Sequence, residues 1–273
     1  MRSRDQFVEI RGARLRLRVE GSGPAVLLLH GWALDLDMWQ PQFTELARDL
    51  RLIAFDRRGF GVSSGEPDLA RDIEDACTLL EMLAVTRVAI AGMSQGCRVA
   101  VGLAQREIRK VSCVILDGPP RMTTGASQDE IPMRHYRELV RSEGIEAFRD
   151  EWARHPFMRL RNGNAHSEAL LREMAMRYPG RDLQREPVLP VIEVAALAVP
   201  ALIVNGEFDL ASRLAAGTEL QTQIPRARRA VVAGAGHLVN LDNPAAYNRL
   251  LRDFISGHAA DASSDVATDR RAQ

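Results

Sequence analysis

This 273-residue sequence predicts an α/β fold: a mostly parallel sheet with helices on both faces and a block of helices inserted late in the chain. Three observations carry the prediction. Short apolar runs alternate with amphipathic segments from about residue 26 to 116. The rhythm then breaks, with no strand-like run from about 121 to 196, and resumes at Pro200. Glycine-flanked loops directly after three of the apolar runs carry a serine, an aspartate and a histidine.

The chain opens with two alternating stretches, 7–10 and 15–20, joined through Gly12, which read as an antiparallel pair. Arg2, Arg4 and Asp5 and the pattern Leu15-Arg16-Leu17-Arg18 are unlike the apolar core of a signal segment. Strands are expected near 26–29, 52–55, 88–91 and 111–116, and helices near 38–49, 69–84 and 98–105. Such alternation calls for right-handed crossovers in a parallel sheet. Amphipathic segments at 134–141, 145–155 and 168–178, separated by Gly144, Pro156, Gly163 and Pro179-Gly180, make the insertion helical. Strands return at 201–204 and 230–232. The division expected is a core of 1–120 and 197–257, a helical cap of 121–196, and a disordered Ala/Ser/Asp-rich tail of 258–273.

Chemistry concentrates at 88–105. A strand runs into Gly92-Met93-Ser94-Gln95-Gly96 and then into a helix, and the glycines allow a sharp turn with Ser94 at its apex. A serine hydroxyl is a poor nucleophile unless it is held in reach of a base. At the start of that helix the Gln95 N–H has no helical partner and lies at the positive end of the dipole, so it can receive a developing oxyanion. The second donor expected is the N–H of Trp32, after strand 26–29, where Gly31 lets the loop fold toward Ser94. The side chains of His30 and Trp32 are expected only to pack. Asp209 and His237 follow strands 201–204 and 230–232 in the order serine, acid, histidine. Asp117, also past a strand end, is the alternative acid.

In the signatures His30-Gly31, Asp56-Arg57-Arg58-Gly59-Phe60-Gly61-Val62-Ser63, residues 92–96, Gly206-Glu207-Phe208-Asp209 and Gly234-Ala235-Gly236-His237, the chain resembles the α/β-hydrolase superfamily with a helical cap over residues 7–257. The resemblance implies Ser94 as nucleophile, His237 as base and Asp209 as acid, and an esterase, enol-lactonase or haloperoxidase-like activity. It disfavours dehalogenase and epoxide hydrolase chemistry, because those relatives have an aspartate where Ser94 stands. Cys97 departs from the pattern, since many relatives have a second glycine there. The charged stretch Asp56-Arg57-Arg58 is expected to be structural.

Thirty-six basic and 36 acidic residues give a formal charge of +0, which offers no electrostatic reason for a nucleic-acid or anionic-membrane partner. Cys77, Cys97 and Cys113 fall inside elements and are expected as buried thiols, consistent with a cytoplasmic protein. No cofactor or metal set is visible; His135, His155 and His166 are scattered. The insertion is rich in Met and aromatic residues, so Tyr136, Phe148, Trp152, Phe157 and Met158, with Met93, are expected to contact a small apolar or moderately polar substrate. A homo-oligomer is compatible with the sequence. The function expected is hydrolysis of a small carboxylic ester or lactone through an acyl-enzyme. The alternatives are C–C cleavage of a ring-fission diketone or perhydrolysis with the same triad, and a non-enzymatic ligand receptor on the same scaffold.

Overall fold

The computed structural model describes residues 5–122, 131–184, 190 and 192–259. Strands β1 (Gln6–Ile10) and β2 (Ala13–Glu20) form the expected hairpin, with Gly12 at φ +76° in its turn. They lead through β3 (Ala25–Leu29), α1 (Gln40–Leu46), β4 (Arg51–Phe55), α2 (Leu69–Met82), β5 (Val88–Met93), α3 (Gly96–Arg106) and β6 (Val111–Asp117). The insertion follows, with α4 (Met133–Glu143), α5 (Ile145–Trp152) and α6 (Ala165–Arg177), and the core resumes with β7 (Ala201–Gly206), α7 (Ala211–Gln223), β8 (Ala227–Val232), α8 (Val239–Asp242) and α9 (Pro244–Ala259).

The strands form one eight-stranded sheet, ordered β1-β2-β4-β3-β5-β6-β7-β8; only the β1–β2 and β2–β4 pairs are antiparallel. Because side chains alternate along a strand, neighbours divide between two cores. Leu27, Leu29, Ile53, Ile90, Val114 and Leu116 pack with α2 and α3 on one face. Val26, Leu28, Ala54, Ala91 and Ile115 pack with α1, α9 and the insertion on the other.

Several expectations shift. The helix foreseen at 38–49 is a 3-10 turn, Leu36–Trp39, followed by α1; Asp35 caps the turn by accepting from Asp37 N, and Pro41 stands in the first turn of α1, where no N–H is needed. Strand β8 starts three residues before the apolar run, because an edge strand tolerates Arg228 and Arg229. Helix α9 runs two residues past the expected core boundary at 257, and the remainder of the supposed tail, 260–273, lies outside the described residues, as do Arg2 and Arg4. Cys77, Cys97 and Cys113 are free and buried. Among the described residues no helix is long and apolar enough to cross a membrane.

The insertion is fastened to the core by charge. Arg177 at the end of α6 meets Asp35 at 2.9 Å and Asp37 at 2.7 Å, and the Asp242 carboxylate accepts from the backbone of Arg161 and Asn162 on one oxygen and from Gly236 on the other.

Candidate active site

Ser94 sits immediately past β5 with φ at +49°, a left-handed conformation that costs a non-glycine residue roughly 1–2 kcal/mol. The surrounding packing enforces it. A Cβ on Gly92 would lie 2.5 Å from the Gly96 carbonyl, and one on Gly96 would lie 2.4 Å from the Leu29 carbonyl, so helix α3 can approach the sheet only without side chains at these positions. The Ser94 N–H donates to Asp117 O at 2.7 Å and its carbonyl accepts from Cys97 N at 2.9 Å. Cys97 is accommodated: its thiol donates to Gly92 O at 3.0 Å. Burial raises the thiol well above its ordinary pKa, so it is no competing nucleophile.

The loops after β7 and β8 pack backbone against backbone, since a Cβ on Gly206 would lie 2.1 Å from Gly236 O. This contact brings His237 Nδ1 to 2.9 Å from Asp209 Oδ1, which also accepts from Leu210 N at 2.9 Å. A carboxylate only accepts, so the imidazole proton belongs on Nδ1 and leaves Nε2 as the basic nitrogen. Burial pushes the Asp209 carboxyl up, but the attraction of His237 and the hydrogen bonds from His237 and Leu210 N–H hold it below its ordinary range. Asp117 differs. It is fully buried, and the polar group beside it is the buried Tyr247 hydroxyl, not the imidazole. Burial first, and the charge of Asp209 second, raise its pKa well above the ordinary value. Its successor Gly118, at φ +52°, backs the imidazole; a Cβ there would lie 2.8 Å from Cε1.

The stretch Asp56-Arg57-Arg58 makes buried ion pairs and hydrogen bonds: Asp56 and Arg57 hold the loop after β3, and Arg58 joins Asp75 on α2 to Ile10 O at the end of β1. Arg57 is fully buried, pairs with Asp72 at 2.9 Å, and donates to Gln95 Oε1 at 2.7 Å and to Gly31 O at 3.3 Å. Burial keeps His30 neutral; it accepts from Arg57 N at 2.9 Å and donates to Gly31 O at 2.8 Å. Asp56 accepts from Leu36 N and Val62 N, and a Cβ on Gly61 would lie 2.2 Å from its carboxylate. Ala33 is left-handed at φ +56°. Among the described residues neither the Trp32 N–H nor the Gln95 N–H donates a hydrogen bond.

Ser94 and His237 line one cavity of about 20 Å³, enough for about a single water. Met93, Trp152, Phe157 and Met158 line it too, and the Phe157 and His237 ring centroids are 4.2 Å apart. Tyr136 and Phe148 are not lining residues. They stack behind, Tyr136 against Trp32 at 6.5 Å and Phe148 against Trp152 at 6.1 Å, as core of the insertion. Trp32, Leu34, Ile131 and Leu238 complete the lining; the Trp32 side chain was expected only to pack, and the other three were not singled out from the sequence. Only Leu238, next to His237, carried a positional signal. Among the described residues no group of three or more His, Cys, Asp or Glu is placed to hold a metal.

Residues 26–250 match the model of the alpha/beta hydrolase family. The chain belongs to that family. This hydrolase is 26% identical to 2-hydroxymuconate semialdehyde hydrolase of Pseudomonas sp. (strain CF600), over 93% of each chain. It is 24% identical to 3-oxoadipate enol-lactonase 1 of Acinetobacter baylyi, over 89% of its own length and 94% of the relative's. Among solved structures, the enol-lactonase of Burkholderia xenovorans LB400 superposes with a TM-score of 0.78 at 24% identity, over 92% of this chain and all of that one.

Proposed function

We propose that this α/β-hydrolase cleaves a small carboxylic ester or lactone through an acyl-enzyme. The observation that carries the reading is the convergence of a left-handed Ser94 and an Asp209-oriented His237 on one apolar cavity. His237 Nε2 takes the Ser94 hydroxyl proton as Oγ attacks the carbonyl carbon, while Asp209 steadies the imidazolium. The Trp32 and Gln95 N–H groups, free of other partners, receive the oxyanion. His237 then passes the proton to the leaving alkoxide, and water, activated by the same imidazole, releases the acid.

Helices α4–α6 serve as a cap, with Trp152, Phe157 and Met158 choosing the substrate together with Met93. The cavity admits no ester as it stands, so substrate entry requires the cap side to move. Three buried free thiols agree with a reducing, cytoplasmic setting. The similarity to 2-hydroxymuconate semialdehyde hydrolase supports a second reading, C–C cleavage of a ring-fission diketone by the same residues.

A panel of p-nitrophenyl esters, lactones and ring-fission diketones, run with wild-type and Ser94→Ala protein, tests the proposal. Serine-dependent turnover of an ester or lactone supports it. Turnover of diketones alone favours the second reading, and turnover unchanged in Ser94→Ala refutes both.

A further inference from the structure

Trp32 is tethered at two ends. The carbonyl before it, Gly31 O, accepts from Arg57 and from His30. Gly31 C=O and Trp32 N–H belong to one planar trans peptide unit, so fixing the carbonyl aims the N–H the opposite way. The side chain is tethered separately: the indole N–H donates to one carboxylate oxygen of Asp182, whose other oxygen accepts from the Tyr178 hydroxyl at 2.5 Å.

Asp182 does not belong to the sheet. It stands in the 3-10 turn Arg181–Gln184, which follows α6 within the insertion. Both donors are buried, Trp32 at 6% exposure and Tyr178 at 1%, so neither can turn to water if the carboxylate is withdrawn. The residue after Trp32 is the left-handed Ala33, a conformation that persists only while its surroundings impose it. The Trp32 ring also packs edge-on to Trp152 at 4.7 Å, so the indole is where cap and oxyanion loop meet.

We propose that Asp182 is a positioning residue of the oxyanion site: by gripping the Trp32 indole it holds the Trp32 N–H in line, so that the site is complete only while the insertion is seated on the sheet. The proposal rests on the serine-hydrolase reading above. It makes catalysis conditional on cap closure, because the same movement that admits substrate releases the indole, and reseating restores the donor before attack.

The test is timed labelling with an alkyl fluorophosphonate, in which the Ser94 Oγ–P bond forms, the P–F bond breaks, fluoride leaves and His237 takes the hydroxyl proton. The saturating rate constant of labelling reads the oxyanion site, and the half-saturation concentration reads reagent binding. Asp182→Ala should lower the saturating rate roughly 10- to 100-fold, less than outright removal of a donor, with half-saturation moving less than about threefold. Asp182→Asn, which keeps one acceptor oxygen, should recover part of the loss. Trp32→Phe keeps an aromatic ring and the backbone N–H but deletes the indole donor, and carries the test if Asp182→Ala fails to fold; its saturating rate should fall likewise. Saturating rates at the wild-type value in the folded variants, or a loss confined to half-saturation, overturn the proposal alone. Failure of the wild-type protein to label at Ser94 overturns the hydrolase reading and the proposal with it.

Discussion

Replacing Asp209 and Asp117 each by asparagine should give opposite outcomes, although both follow strand ends beside His237. In Asp209→Asn the amide oxygen can take the Oδ1 position and still accept from Leu210 N and His237 Nδ1, so the imidazole tautomer can survive. What is lost is the negative charge that stabilises the imidazolium. A roughly 10³- to 10⁴-fold fall in kcat is expected, about 4–5.5 kcal/mol of transition-state stabilisation. Burial favours the neutral acid at Asp117, and asparagine is nearly its isostere, so kcat of Asp117→Asn should stay within a few-fold of wild type. Its stability should rise. At pH below the ordinary carboxyl range folded and unfolded chains both hold the proton, so wild type and variant behave alike. Above that range the unfolded chain releases the proton and the folded chain keeps it, so wild type loses about 1.4 kcal/mol per pH unit that the variant does not. The stability advantage of the variant should therefore widen as pH rises above the ordinary carboxyl range, until the folded carboxyl itself titrates. Steady-state kinetics on folded variants and thermal melts from pH 4 to 8 measure both effects. Asp117→Asn losing more than a hundredfold in kcat while Asp209→Asn stays near wild type would refute the assignment, and a Tm difference that does not grow with pH would refute the buried neutral acid.

Ser94→Gly should abolish turnover yet raise stability by roughly 1 kcal/mol, since glycine relieves the left-handed φ; a melt lower than that of Ser94→Ala would contradict this. Alanine at Trp152 or Met158, which line the cavity, should shift the ratio of kcat/KM between short and long acyl substrates about tenfold, whereas Tyr136→Phe should leave it unchanged. Cys97 should resist thiol reagents in the native protein and react only on unfolding, as its buried, raised-pKa thiol requires; alkylation of native protein at this position, read by mass spectrometry, would count against it.

The sheet was legible because each core strand is a continuous apolar run bounded by glycine or a charge, and the elbow because Gly92 and Gly96 must be bare for α3 to reach β5. Helix α9 was equally readable and not read: Pro244 opens it, and Tyr247, Leu251, Phe254 and Ile255 repeat at helical spacing. Strand β8 hid its start behind two arginines. At the site, chain order pointed to Asp209, but only the hydrogen bond shows which aspartate meets the imidazole, because Asp117 ends in a loop of the same type. The insertion was opaque in detail. A Met- and aromatic-rich composition marks apolar burial without saying whether a ring faces cavity or core, and so Tyr136 and Phe148 fell behind Trp32 and Trp152. Asp182 gave no signal at all, since its partners lie 150 and 4 residues away and nothing local distinguishes it from a surface acid.

The central claim is a covalent acyl-enzyme on Ser94. Mixing the protein with excess p-nitrophenyl acetate, quenching in acid within the first turnovers and mapping the digest by mass spectrometry tests it directly. An acetyl mass increment is predicted on the peptide containing position 94, present in wild type and absent from Ser94→Ala. Nitrophenol release by wild type with that peptide unmodified, or an increment that persists in Ser94→Ala, would contradict it.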